Sequence, residues 1–125
     1  YLCRCQVELP QAYAMLLDSG ILKGRVANGS AEIYSTADGA ALNDGKWHHV
    51  AITRSGSTGK IYVDGVVTTG TVASGTVSNA NSLTIGKRSD GNEWYFNGSI
   101  DEVRIYNRAL SASEILEHYL AGAGR

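Results

Sequence analysis

From residue 13 onward the chain alternates short apolar runs with breaks marked by glycine, asparagine or aspartate. That spacing predicts strands joined by tight turns. Tyr13–Asp18 reads as a strand, Ser19-Gly20 as a turn and Ile21–Ala27 as the returning strand. Asn28-Gly29 is a hairpin signal, because both residues tolerate positive φ. Ala31–Thr36 follows, and residues 38–46 make a polar loop. Trp47–Arg54 is the clearest strand. Period two places His48, Val50 and Ile52 on one face and Trp47, His49, Ala51 and Thr53 on the other. After a turn at 55–59 come Lys60–Val63, a second hairpin signal at Asp64-Gly65, and Val66–Thr69. Residues 70–82 read as a loop or as a Thr-rich edge strand around Thr76–Ser78. Leu83–Lys87, Tyr95–Asn97 and Ser99–Asn107 complete the strand pattern.

The period then changes. Ser111 with Glu114 three residues later makes a capping box. Ile115, Leu116, Tyr119 and Leu120 share one helical stripe, and Gly122 stands where a helix stop belongs. One helix over 111–121 therefore closes a chain of strands. Many closely spaced antiparallel strands build a sandwich, so the expected fold is all-β, a two-sheet antiparallel β-sandwich with one short C-terminal α-helix. Residues 1–12 show no clean period and read as an atypical leader to a single domain.

Composition sharpens this. The chain has 125 residues, of which 43% are hydrophobic, enough for one domain with a core. Fifteen glycines against one proline agree with the many turns. A formal net charge of −1, with basic and acidic residues interspersed, argues against nucleic acid as a partner. No apolar run approaches the roughly 20 residues of a membrane span, so no membrane insertion is expected. The chain starts at Tyr1 and shows no signal peptide. Cys3 and Cys5 stand one residue apart, too close for a relaxed bridge and too few for a zinc site.

The residues that bear chemistry are few. Along Ile100–Tyr106, alternation groups Asp101 with Val103 and Ile105. If that face packs inward, the carboxylate needs a partner, a proton or a cation, and Ca²⁺ takes such oxygens. The other reading is a strand-start Asp that reaches water or caps backbone amides. Asp90, Asn92 and Glu93 form a second oxygen-rich cluster around Gly91, without EF-hand spacing. Trp94, Tyr95 and Phe96 stand beside it. Aromatic faces suit the apolar faces of sugars, and alternation forbids all three from pointing inward. Tyr34, Tyr62 and Tyr106 line either an outer groove or a half-buried face. His48 and His49 point to opposite faces and share no ligand. His118 lies on the helix, without metal-ligand spacing around it. No nucleophile elbow and no phosphate-binding loop occur. No alternating acidic run supplies the paired carboxylates of glycoside hydrolysis. An enzyme is not expected.

Four segments in order, DGKWHHVAITR (44–54), KIYVDG (60–65), LTIGKR (83–88) and YFNGSIDEVRIYNRALSASEI (95–115), resemble the laminin-G-like jelly roll of the concanavalin A-like lectin/glucanase superfamily. The resemblance runs from about Tyr13 to Tyr119. It implies a binding or adhesion module of a secreted or cell-surface protein, with a glycan or an extracellular protein as ligand. It also implies a structural Ca²⁺ held partly by the Asp that opens the last strand, here Asp101. Family members carry further strands before the one matching Tyr13–Asp18, where this chain has only twelve residues. That difference predicts an open sheet edge and a homo-oligomer formed through it.

The first functional expectation is a non-catalytic carbohydrate-binding module. Trp94 and Tyr95 would stack on the sugar, and Asp90, Asn92 and Asn97 would hydrogen-bond it. The alternative is a structural or protein-interaction module without sugar. A third reading is an accessory fragment of a glycanase or lyase.

Overall fold

The computed structural model describes residues 2–4, 8–9, 13–26, 31–34, 41–72, 82–87 and 95–123. Among them, nine strands precede one helix. The strands are β1 (Leu2–Arg4), β2 (Glu8–Leu9), β3 (Tyr13–Asp18), β4 (Ile21–Val26), β5 (Ala31–Tyr34), β6 (Trp47–Ser55), β7 (Thr58–Val63), β8 (Val66–Thr71) and β9 (Ser99–Ile100). The helix is α1 (Ala112–Ala123). The described strands form two sheets, ordered β8-β7-β6-β1-β9 and β2-β3-β4-β5.

The turns fall where the sequence places them. Ser19 and Gly20 both have positive φ, as do Asp64 and Gly65, the signature of the type I′ hairpin. These turns set the registers Asp18↔Ile21 and Val63↔Val66. Residues 27–30, with the Asn28-Gly29 signal, lie outside the described residues, as does the Thr76–Ser78 segment; β4 and β5 nevertheless pair antiparallel from Val26↔Ala31.

The two sheets enclose the core. Met15, Leu22 and Val26 from one sheet pack with Val50, Ile61 and Val63 from the other, joined by Leu42 and Val72. Gly24 marks the closest approach. A Cβ built there would lie 2.7 Å from Ile52 Cδ1 and 2.9 Å from Ile61 Cδ1. On the outer face of the five-stranded sheet, Tyr62, Leu110 and Ile115 form a second cluster with Ala51 beside it. Alternation along β6 and β7 separates the two cores: Val50, Ile52, Ile61 and Val63 face in, while Ala51 and Tyr62 face the helix.

The capping box forms as read. The Ser111 N–H donates to Glu114 Oε2 at 2.8 Å, and the Glu114 N–H donates to Ser111 Oγ at 3.3 Å. Arg108 grips the same carboxylate with two bonds of 2.9 and 2.6 Å. Together these hold the Glu114 carboxyl at about 2, well below the usual range, with Arg108 the larger cause. The helix runs on to Ala123, so Gly122 is a buried residue of its last turn and not its stop. Ile115 is buried, whereas Leu116 and Leu120 are exposed. The buried stripe is thus narrower than the sequence pattern suggested.

Three other expectations need correction. The leader, read as atypical and without a clean period, supplies two strands: β1 lies between β6 and β9, parallel to both, and β2 extends the second sheet. An otherwise antiparallel fold therefore has a parallel centre where the N-terminal residues fill a strand position. Among the described residues, Leu83–Lys87 is not a continuous strand: Gly86 turns the chain at φ 77°, and isolated bridge residues stand at Thr84 and at Lys87, the latter antiparallel to Tyr95. Ser99–Asn107 is a strand only over Ser99–Ile100, because Glu102 takes a positive φ of 50° and ends the extended run.

Candidate functional site

The early end of β9 leaves a groove beside β6. Residues 102–110 run past the flank of β6 without pairing to it. A groove of about 390 Å³ opens between that leg, β6 and α1. That volume lies within the ~300–1,000 Å³ range of ligand sites. Five consecutive residues of β6, Val50 to Arg54, line it. Side chains of one strand alternate between faces, so a groove touching all five runs along the strand's edge. Tyr13 and Met15 contribute from the opposite sheet, and Leu110, Ile115 and His118 from the helical side.

Polar contacts shape the groove. At the β6 end, Arg54 Nη1 donates to Tyr13 Oη at 2.8 Å, with the guanidinium 5.9 Å from the Tyr13 ring centre. On the leg, Arg104 Nη1 donates to His118 Nδ1 at 2.8 Å. An accepting Nδ1 places the imidazole proton on Nε2, which lies 3.2 Å from Tyr106 Oη. Arg104 also pairs with Glu102 at 3.6 Å. Ile105, 59% exposed, and Tyr106, 44% exposed, are large apolar groups left open to solvent on this leg.

A second cluster lies at the start of β6. His48 Nδ1 is 2.7 Å from Asp64 Oδ2, and Nε2 is 3.0 Å from Asp44 Oδ1. Carboxylates accept, so both ring nitrogens donate and the imidazole is favoured in its charged form. Burial pulls the other way, but the two carboxylate bonds outweigh it and raise the His48 pKa above its ordinary value. Asp44 is held near 2 by His48 and by the Lys46 N–H. The other Asp64 oxygen accepts from the His49 N–H at 2.8 Å. This cluster ties the 41–46 loop to the β7–β8 hairpin, and the Leu42 N–H bonds Gly20 O at 2.7 Å to close the same end of the sandwich.

Of the residues expected to bind sugar, Tyr95 and Asn97 fall at a third place. Trp94, Asp90 and Asn92 lie outside the described residues. Tyr95 is 70% exposed, Asn97 is exposed, and Phe96 between them packs against the core. The Phe96 N–H donates to Gly86 O at 2.8 Å, which fixes the segment against the Gly86 turn. The aromatic run thus splits as alternation requires, Phe96 inward and Tyr95 outward.

Asp101 does not point inward. It is exposed, and its Oδ1 accepts from the Glu102 N–H at 2.8 Å. The expected inner partner Ile105 is exposed as well. The reasoning from burial toward a cation therefore lapses. Ca²⁺ takes six to eight oxygens. Among the described residues no group of three or more His, Cys, Asp or Glu is placed to hold a metal ion. Asp101 by itself does not fit a calcium site.

The groove residues Arg54, Arg104 and Arg108 were not singled out in the sequence. Assigning 99–107 as a strand hid the gap beside β6. The usable signal was the Arg104/Arg108 spacing on a leg that carries Ile105 and Tyr106 between them.

Comparison with known proteins agrees with this architecture. Over 86 residues the chain is 38% identical to the human adhesion G-protein coupled receptor D1, covering 63% of this chain and 10% of the receptor. It is 29% identical over 86 residues to the rat sushi, von Willebrand factor type A, EGF and pentraxin domain-containing protein 1, covering 60% of this chain and 2% of that protein. The chain thus spans a tenth or less of these relatives. An S-layer domain-containing protein from Clostridium thermocellum, solved by crystallography, superposes with a TM-score of 0.54 at 27% identity, covering 90% of this chain and 65% of that one. Residues 10–116 match the family described as the concanavalin A-like lectin/glucanases superfamily. With its two-sheet β-fold and this match over most of its length, the chain belongs to that superfamily as a laminin G-like domain.

Proposed function

We propose that this domain is a non-catalytic recognition module acting outside the cell, and that its ligand is a carbohydrate. The observation that carries the reading is the Tyr95–Asn97 segment. Phe96 is anchored in the core, which presents the Tyr95 ring and the Asn97 amide to solvent from a fixed backbone. A flat apolar ring beside a hydrogen-bonding amide matches a sugar, whose ring faces are apolar and whose rim is polar. Trp94, Asp90 and Asn92, close by in sequence, belong to the same proposal. The extracellular setting is supported by the adhesion receptor among the relatives. No helix of the described residues is long and apolar enough to cross a membrane.

A glycan array probed with the whole chain tests this. The expected result is binding to a restricted set of glycans, lost on Tyr95→Ala. Absence of binding to any glycan at high protein concentration would overturn it. The alternative, a protein-interaction module without sugar, is favoured by the groove beside β6 and by the relatives' names.

A further inference from the structure

Asn97-Gly98-Ser99 has the form Asn-x-Ser with a middle residue other than proline, the acceptor pattern for N-linked glycosylation. The chain holds one other, Asn28-Gly29-Ser30, which lies outside the described residues. A pattern becomes a site only where the acceptor amide reaches solvent. Asn97, Gly98 and Ser99 are all exposed, and the chain bends at Gly98 before it enters β9. Phe96 packs against the core and its N–H is tied to Gly86 O at 2.8 Å, so the Asn97 amide stands off a fixed backbone.

The neighbouring ring is a second, independent observation. Tyr95 and Asn97 flank the inward Phe96, so alternation puts both of their side chains on the outer side. Residues two apart on an extended segment are separated by about 6.6–6.8 Å at strand rise, within reach of the first sugar of a chain attached to Asn97. The antiparallel bridge Lys87↔Tyr95 holds the Tyr95 backbone from the other side. The ring itself is 70% exposed, an apolar face whose hydration is unfavourable until something covers it.

We propose that Asn97 is an attachment site for an N-linked glycan, and that the first sugar of that glycan packs on the Tyr95 ring. The donor class is an oligosaccharide carried on a polyprenyl diphosphate. Asn97 Nδ2 bonds to the anomeric carbon of the oligosaccharide, and that carbon's bond to the diphosphate oxygen breaks. The diphosphate leaves with the bonding pair, and the amide gives up one proton. The inference shares the extracellular setting proposed above but does not need a free glycan as ligand. The unmodified chain is the form that leaves Tyr95 open to one.

The test is secretion of the whole chain from eukaryotic cells, followed by peptide mapping. Enzymatic glycan release in heavy-oxygen water should label Asn97, which separates glycosylation from spontaneous deamidation of Asn97-Gly98. Ser99→Ala should abolish the modification, and Ser99→Thr should keep it. The secreted chain should melt about 2 °C or more above secreted Ser99→Ala, after correction for the same pair made unmodified in bacteria. Tyr95→Ala should remove that gain, and Tyr95→Phe should keep it. A folded, secreted chain with Asn97 unmodified overturns the proposal. Absence of the gain, or a gain that survives Tyr95→Ala, overturns the packing of the sugar on the ring.

Discussion

Replacing Gly24 with alanine tests how the two sheets meet. Gly24 sits on β4, opposite β6 and β7. A methyl there would approach Ile52 Cδ1 to 2.7 Å and Ile61 Cδ1 to 2.9 Å, well inside van der Waals contact. Ile61 is fully buried, so its side chain has no solvent to swing into. Overpacking of this kind costs about 1–3 kcal/mol. Alanine recovers ~0.4–1 kcal/mol by restricting the unfolded chain. The net loss is about 1–2 kcal/mol, or roughly 3–10 °C in thermal midpoint for a domain of this size. The decisive part is the double mutant. Ile61→Val alone removes buried volume and costs about 0.5–1.5 kcal/mol. In the Gly24→Ala background it removes one of the two clashing Cδ1 atoms, leaving that of Ile52, so the two changes together should cost less than their sum by ~0.5–1 kcal/mol. Urea unfolding of the four proteins gives the coupling. Additivity within about 0.5 kcal/mol would refute the placement of β4 over β7.

Three further predictions follow from polar contacts. The His48 pKa is raised by its bonds to Asp64 and Asp44, so its contribution to stability is fully present below the unfolded value and is lost as pH rises through the folded value. Thermal midpoints should fall from pH 6 toward pH 8.5, and Asp64→Asn should flatten this slope; an NMR titration in which Asp64→Asn leaves the His48 pKa unmoved would contradict the assignment. Ser111→Ala should cost about 1 kcal/mol through loss of the N-cap. Because the Glu114 pKa is depressed to about 2, its stabilisation is present above the ordinary carboxylate range and lost as pH falls toward 2, and Glu114→Gln should remove that acid dependence, measured by helix circular dichroism.

Much of the fold was legible because local chemistry and tertiary structure agree. Asp64-Gly65 and Ser19-Gly20 made the turns their residues favour, and Ser111 with Glu114 made the cap. Strands with a clean period, such as Trp47–Ser55, formed with the predicted faces. The misreadings share one cause: extended sequence is necessary for a strand, but pairing decides it. Val103–Tyr106 alternates well, yet the turn at Glu102 leaves it unpaired with β6. Leu2–Arg4 has no readable period and still forms a strand, because β6 and β9 offer their edges on both sides. The site was harder to read for the same reason. Tyr95 exposure followed from alternation around Phe96, whereas the groove exists only because a predicted strand stops short. For Asp101 the second of its two readings holds, a strand-start Asp that reaches water and accepts from the Glu102 N–H, because the strand ends one residue earlier.

The proposed recognition of a carbohydrate through the Tyr95 surface is tested most directly by calorimetric titration of the strongest glycan from the array. Saturable binding by the whole chain is the expected result. Tyr95→Ala should abolish it while leaving the thermal midpoint within about 1 °C, since the ring is 70% exposed and surface changes usually stay within ±0.5 kcal/mol. Unaltered binding by a folded Tyr95→Ala variant would contradict the account.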